Sequence, residues 1–149
     1  MHGLKIKHLI PVVGVFIFLS GCSSKNSTEL PNIHYGQDVC AECRMIIAEK
    51  KFSAGFVDKK GDGYKFDDIG CMRLFIEKNS ETPAIFWVHD LGSEEWIEGI
   101  RAFFTHSKTL RTPMGYGIAA FSNADSAGRY LKENEGETVS WEGMKPKGG

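Results

Sequence analysis

Residues 63–76 read GYKFDDIGCMRLFI, and the order of residue types along them decides the fold class. Gly63 ends a glycine-rich turn, Lys59-Lys60-Gly61-Asp62-Gly63, and Tyr64-Lys65-Phe66 alternate in the manner of a strand. Asp67 or Asp68 then offers a carboxylate to the free backbone N–H groups of a helix's first turn. Beyond it Ile69, Met72, Phe75 and Ile76 recur at spacings of three and four, which gives one apolar helix face. Upstream, Arg44–Asp58 is rich in β-type residues, so a strand there would pair with 64–66 across the turn as a hairpin. The whole reads as a strand–strand–helix unit.

A second segment has the same form. Gly115-Tyr116-Gly117-Ile118-Ala119-Ala120-Phe121-Ser122 also enters a helix, expected over Ala124–Asn134, with Ser122 or Asn123 as cap and Ala127, Tyr130 and Leu131 facing inward. Further strands are expected over Ala84–His89, which follows Pro83, within Trp96–Thr105, over Ile118–Phe121 and over Thr138–Trp141. The expected fold is therefore α+β: one small domain, residues 34–144, of two related strand–strand–helix units sharing an antiparallel sheet arrangement. The equivalent loops of the two units would then lie near each other.

The amino terminus bears on the compartment. Lys5 and Lys7 precede an apolar run (residues 9–19, LIPVVGVFIFL), and Leu19-Ser20-Gly21-Cys22 follows. A basic stretch, a short apolar run and small residues before a cleavage point describe a secretory signal peptide. The run falls short of the roughly 20 residues that a spanning helix needs. Leucine, two small residues and cysteine match the lipobox of bacterial lipoproteins, so residues 1–21 are expected to be removed and Cys22 acylated. Residues 22–33, which include the polar SSKNSTE, would be the tether. Stable anchoring needs more than one acyl chain, and the expected location is the extracytoplasmic face of the cell membrane. Losing Lys5 and Lys7 takes the formal charge from −1 to −3. A basic face for nucleic acid is not suggested. What remains is one domain large enough for its own core, ending in a flexible tail, KPKGG (145–149).

The chemistry concentrates in Asp38-Val39-Cys40-Ala41-Glu42-Cys43-Arg44-Met45. Both sulfurs of a Cys-x-x-Cys turn can bind one ion, and Met45 is near enough in sequence to add a third soft donor. Thiolate and thioether together select Cu(I); a thioether is a poor zinc ligand. Structural zinc wants four Cys or His ligands, and only Cys71 stands beyond the first pair, so zinc is disfavoured, although Cys40, Cys43, Cys71 and a histidine would make a set. Other readings stay open. Cys40 and Cys43 can form an inert disulfide outside the cytoplasm, or a thiol–disulfide oxidoreductase couple, which wants a strand before the motif and a helix after it.

Met114 lies in Thr112-Pro113-Met114-Gly115-Tyr116-Gly117, a loop stiffened by proline, where a methionine is less readily core filler than on a helix face. Cys71, Met72 and His34 are secondary ligand candidates. Core packing is the plainer reading for Cys71 and Met72, and a surface histidine for His34; His89 and His106 read as surface or satisfied core histidines. A phosphate-binding glycine loop, a Ser/His/Asp arrangement and a paired-carboxylate pattern are all absent from the sequence, so the residues make no case for an enzyme.

The lipobox, the Asp38–Ile46 segment, Lys65-Phe66-Asp67-Asp68 followed by Cys71-Met72, and Thr112-Pro113-Met114-Gly115 occur in the same order in NosL proteins, which this chain resembles over nearly its whole mature body. The resemblance implies a lipoprotein accessory to nitrous oxide reductase that binds Cu(I) and delivers it to that enzyme's copper–sulfur cluster. Its implied partners are that copper-accepting client, a copper donor or membrane transporter, and the membrane. Cys43 and Met45 fall on the family's Cys-x-Met element and Met114 on its Pro-Met-Gly element. Many members have glycine where this chain has Arg44, and many lack the first cysteine, so Cys40 is either an added ligand or a redox partner of Cys43. The implied metal set is Cys40, Cys43, Met45 and Met114.

Overall fold

The computed structural model describes residues 29–145. The expected signal peptide, Cys22 with its expected acylation, most of the tether and the tail beyond Lys145 lie outside the described residues. Among the described residues no helix is long and apolar enough to cross a membrane.

The domain is α+β, with two helices and two antiparallel sheets. In the first half, β1 (Ala54–Asp58) and β2 (Gly63–Phe66) form the expected hairpin, α1 (Ile69–Asn79) follows, and β3 (Pro83–His89) and β4 (Trp96–Glu98) complete a sheet of order β2-β1-β3-β4. The second half repeats this plan with β5 (Phe103–His106), β6 (Ile118–Phe121), α2 (Ala124–Glu133) and β7 (Glu137–Val139), in a sheet of order β6-β5-β7. In both halves the first strand is central, the second pairs on one side of it, and the strand after the helix pairs on the other. This is the internal repeat that the two sequence segments suggest. Each unit keeps its own sheet, and the sheets meet through a parallel bridge between Asp90 and Ala120, where the Leu91 N–H donates to the Ala120 carbonyl at 2.9 Å.

Both helices start where their caps dictate. Asp68 accepts from the Gly70 N–H, and Asn123 accepts from the Ser126 N–H, each satisfying an orphan donor of the first turn. Helix α1 sinks its first turn deepest: Ile69, Gly70, Cys71 and Met72 are buried, while Phe75 and Ile76 are half-buried. Phe56, Phe66, Tyr64 and Phe75 pack on one another beneath it, with Phe56 and Phe66 ring centroids 5.7 Å apart and Phe66 edge-on to Phe75 at 5.4 Å. Such pairs add about 0.5–1.5 kcal/mol beyond the area they bury. This core fixes the N-terminal end of α1, on which the site is built.

Two strand expectations are corrected. Arg44–Ser53 is not strand: the apolar Met45-Ile46-Ile47 pairs only through a bridge from Val39 to Ile46, and Lys50–Phe52 forms a 3-10 turn. The charged Glu49-Lys50-Lys51 run supplies no alternating apolar face to hold a longer strand there. Trp96–Thr105 divides into β4 and β5 around a 3-10 turn at Gly99–Arg101. Gly99 sits against the Phe86 ring, with no room for a side chain, and there the chain leaves the first sheet for the second.

Candidate metal centre

The Cys40–Cys43 segment is a tight loop, shaped by its own backbone. The Cys40 N–H donates to the Met45 carbonyl at 2.8 Å, the Arg44 N–H to the Cys40 carbonyl at 3.1 Å and the Ile47 N–H to the Asp38 carbonyl at 2.8 Å. Reversing direction in so few residues puts Arg44 in the left-handed region, at φ 67°, which a residue with a Cβ enters at a cost of about 1–2 kcal/mol. The loop is fastened to β2 by the Ala41 N–H, which donates to the Lys65 carbonyl at 2.9 Å, and by a Lys65–Asp38 ion pair at 2.7 Å. Lys65 and the His34 N–H hold the Asp38 carboxyl below the usual carboxylate range. Glu42 pairs with Lys78 near the far end of α1.

Four side chains converge at the N-terminus of α1. The sulfurs of Cys40, Cys43 and Cys71 and a carboxylate oxygen of Asp67 all lie within 4.8 Å of one another. Cys40 and Cys71 are fully buried, Asp67 nearly so, and Cys43 is half-buried and forms the outer wall. The cysteines are free thiols. The Cys43 thiol donates to Asp67 Oδ1 at 3.4 Å. The neighbouring Cys71 thiol, the largest influence on Cys40, lowers it to about 7 against the opposing effect of burial. Burial, and then the charge on Cys40, push Cys43 up to about 12. Cys71 is raised as well, chiefly because its proton is held by Cys40. One sulfur is thus readied as a thiolate. Gathering further negative charge in so small a volume requires a cation.

The Met114 loop is pinned to the same place. Asp68 accepts from Gly70 N–H through Oδ1 and, through Oδ2, from Met114 N–H at 3.2 Å, so one carboxylate both caps α1 and holds residue 114 over it. Burial raises the pKa of Asp68, while hydrogen bonds from Thr112, Gly70 and Met114 oppose the rise. Tyr116 lies flat over Gly70, whose missing side chain leaves room for the ring: a Cβ there would come within 2.3 Å of it. Half-buried Met114 packs against the same apolar core as Cys43.

The sequence-derived candidates therefore separate. Cys40 and Cys43 are in the cluster, and Met114 is held beside the helix end that bears it. Met45 stands outward and is 59% exposed. Cys71, read from the sequence chiefly as core, contributes its sulfur to the cluster and is buried there. Met72 is core, and exposed His34 sits 3.5 Å from Asp38. His89 is a satisfied core histidine, with Nε2 3.0 Å from the Tyr35 hydroxyl and Nδ1 2.9 Å from the Glu94 carbonyl. His106 lines a surface cavity with Tyr116 and Met144. Sequence reasoning missed Asp67, treating it as an alternative cap. A signal was present: only one of two adjacent aspartates can cap α1, and the other is left to serve the site.

A sequence model of the NosL family matches residues 33–148. Among solved structures, the crystal structure of the copper chaperone NosL from Shewanella denitrificans is similar to this chain, with a TM-score of 0.68 and 16% sequence identity over 78% of this chain and 96% of that one. At that identity the likeness is one of fold. No curated protein matches the sequence.

Proposed function

The chain belongs to the NosL family, and on that premise we propose that it is a copper carrier, not an enzyme, which holds Cu(I) between Cys43 and the thioethers of Met45 and Met114, with Cys40 and Cys71 as further sulfur donors. The observation that carries this reading is the convergence of three thiols on one point beside the tethered Met114 loop. Thiolate and thioether donors suit Cu(I) and disfavour harder ions. Cu(I) accepts two or three sulfur ligands, so an incoming donor can add before an old one leaves. Exposed Met45 is then the donor that meets a partner first, and half-buried Cys43 is the thiolate that passes the ion outward.

The client is nitrous oxide reductase, whose copper–sulfur centre would receive the ion, and a donor protein or transporter would supply it. Acylation at Cys22 would keep the carrier on the extracytoplasmic membrane face, where a tether raises the effective concentration of its partners. Thiol–disulfide exchange by Cys40 and Cys43 is less well supported. The attacking thiol in that chemistry must be both accessible and acidic. Here the accessible one, Cys43, is raised to about 12, and the lowered one, Cys40, is fully buried.

The test of the carrier reading is transfer. The Cu(I)-loaded chain is mixed anaerobically with copper-free nitrous oxide reductase, and metal in the acceptor is measured after separation. Transfer that fails for Cys43→Ser supports the reading, and a wild-type chain that retains all its copper counts against the assigned client. Fatty-acid labelling that disappears in Cys22→Ala tests the anchor.

A further inference from the structure

Asp67 is the residue that the copper reading does not use. Its carboxylate is 2% exposed, and among the described residues no basic side chain forms an ion pair with it. Its side-chain hydrogen-bond partner is the Cys43 thiol, and the Cys40 sulfur lies within 4.8 Å of it. A buried carboxylate without a counter-charge is costly unless it pairs with a cation or coordinates a metal. Cu(I), which prefers soft donors, has little use for it.

The geometry points to a second mode of metal binding, in which Cys40, Cys43, Cys71 and Asp67 together hold one divalent borderline cation of the Zn(II) class in a closed tetrahedral site. Three observations converge on this. The donor number and kind fit, because zinc takes cysteine sulfur and aspartate oxygen in four-coordinate sites. The spacing fits, because a Zn–S bond near 2.3 Å sets ligand atoms about 3.8 Å apart in a tetrahedron, and the four atoms here already lie within 4.8 Å. The loop is already held in place as well. The Cys40 N–H donates to the Met45 carbonyl, the Arg44 N–H to the Cys40 carbonyl and the Ala41 N–H to the Lys65 carbonyl. Such bonds fix the ligand-bearing segment before an ion arrives. A divalent ion offsets three thiolates and a carboxylate better than a monovalent one does. Cys43 belongs to both modes, so the two metals compete: a divalent ion draws Cys43 inward to Asp67, whereas Cu(I) draws it toward the methionines.

The probe is Co(II) alone, titrated into the reduced full chain without oxygen and then displaced with Zn(II). The expected result is one equivalent of Co(II) with sulfur-to-cobalt charge-transfer absorption and the intense visible bands of a tetrahedral ion, all lost on adding one equivalent of Zn(II). Asp67→Asn is expected to weaken Co(II) binding at least about tenfold and to change its visible bands, while Cu(I) affinity moves by less than the Co(II) affinity. A wild-type spectrum of a six-coordinate ion without charge transfer would overturn the inference. So would an unchanged affinity and spectrum in a folded Asp67→Asn chain. If that variant does not fold, the wild-type spectrum decides alone. Cu(I) competition on the same preparation reports the carrier reading separately. A chain that takes Cu(I) and refuses Co(II) overturns only this inference, and one that takes Co(II) and refuses Cu(I) overturns only the carrier reading.

Discussion

Acid should loosen this domain through His89 before it reaches the carboxylates. The ring is fully buried, 3.7 Å from the Trp96 ring centroid. Nδ1 must donate to the Glu94 carbonyl, so Nε2 is left to accept from the Tyr35 hydroxyl. That neutral tautomer is built into the packing, and burial lowers the histidine from 6.5 to about 4. The unfolded chain therefore binds a proton between these values that the folded chain refuses. Stability from this source is complete above pH 6.5, falls as pH drops toward 4 and levels off below that. A depression of that size corresponds to about 3 kcal/mol. With a urea m-value of about 1–3 kcal/mol/M, the midpoint of the reduced, metal-free protein should fall by about 1–3 M between pH 7.5 and 4. His89→Gln should remove most of that slope. Asp90 occupies a separate window. Burial opposes its ionisation, but N–H donors from Ser93, Ser122 and Gly92 hold it at about 2, so its contribution is lost only as pH falls from about 4 through 2. Equal slopes between pH 7.5 and 4 for wild type and His89→Gln would refute the reasoning. The effect bears on function because Tyr35 joins His89 to the segment that leads into the cysteine loop.

Asp68→Ala should destabilise by about 2 kcal/mol in urea unfolding, since it removes a helix cap and the tether of the Met114 loop together. Asp68→Asn should retain most of the cap while weakening the tether, and should lower Cu(I) affinity more than stability. Arg44→Gly should be neutral or stabilising by up to about 1 kcal/mol, whereas Arg44→Val should destabilise by about 1–2 kcal/mol in the same assay. Met72→Leu should lose less than about 1.5 kcal/mol and leave metal binding intact, and Cys71→Ser should impair metal binding while the fold persists.

The sequence revealed most where a single period governed a segment. Helix α1, helix α2 and strand β6 follow from apolar spacing and capping side chains, and the paired units follow from the resemblance of their strand-to-helix joints. It misled where local residue type and tertiary role diverge. Met45-Ile46-Ile47 looks like strand, but the turn at Arg44 uses these residues in a single bridge and turns Met45 outward. Nearness in sequence to Cys43 thus comes with exposure for Met45, which is 59% exposed where the three thiols are buried or half-buried. Helical periodicity leaves Cys71 ambiguous, with core the plainer reading and a metal ligand the secondary one. It is indeed buried, and burial beside two other thiols is what makes it a metal-site residue. Only the tertiary approach of the loop to α1 brings Asp67 to the sulfurs, and no spacing rule encodes that approach.

The most direct test of the account is an anaerobic Cu(I) titration of the reduced chain against a competing chelator, with each cysteine's alkylation followed by mass spectrometry before and after loading. The account predicts one tightly held equivalent, protection of Cys43 together with Cys40 and Cys71, and loss of tight binding in Cys43→Ser. No binding by the fully reduced protein, or undiminished binding by Cys43→Ser, would contradict it.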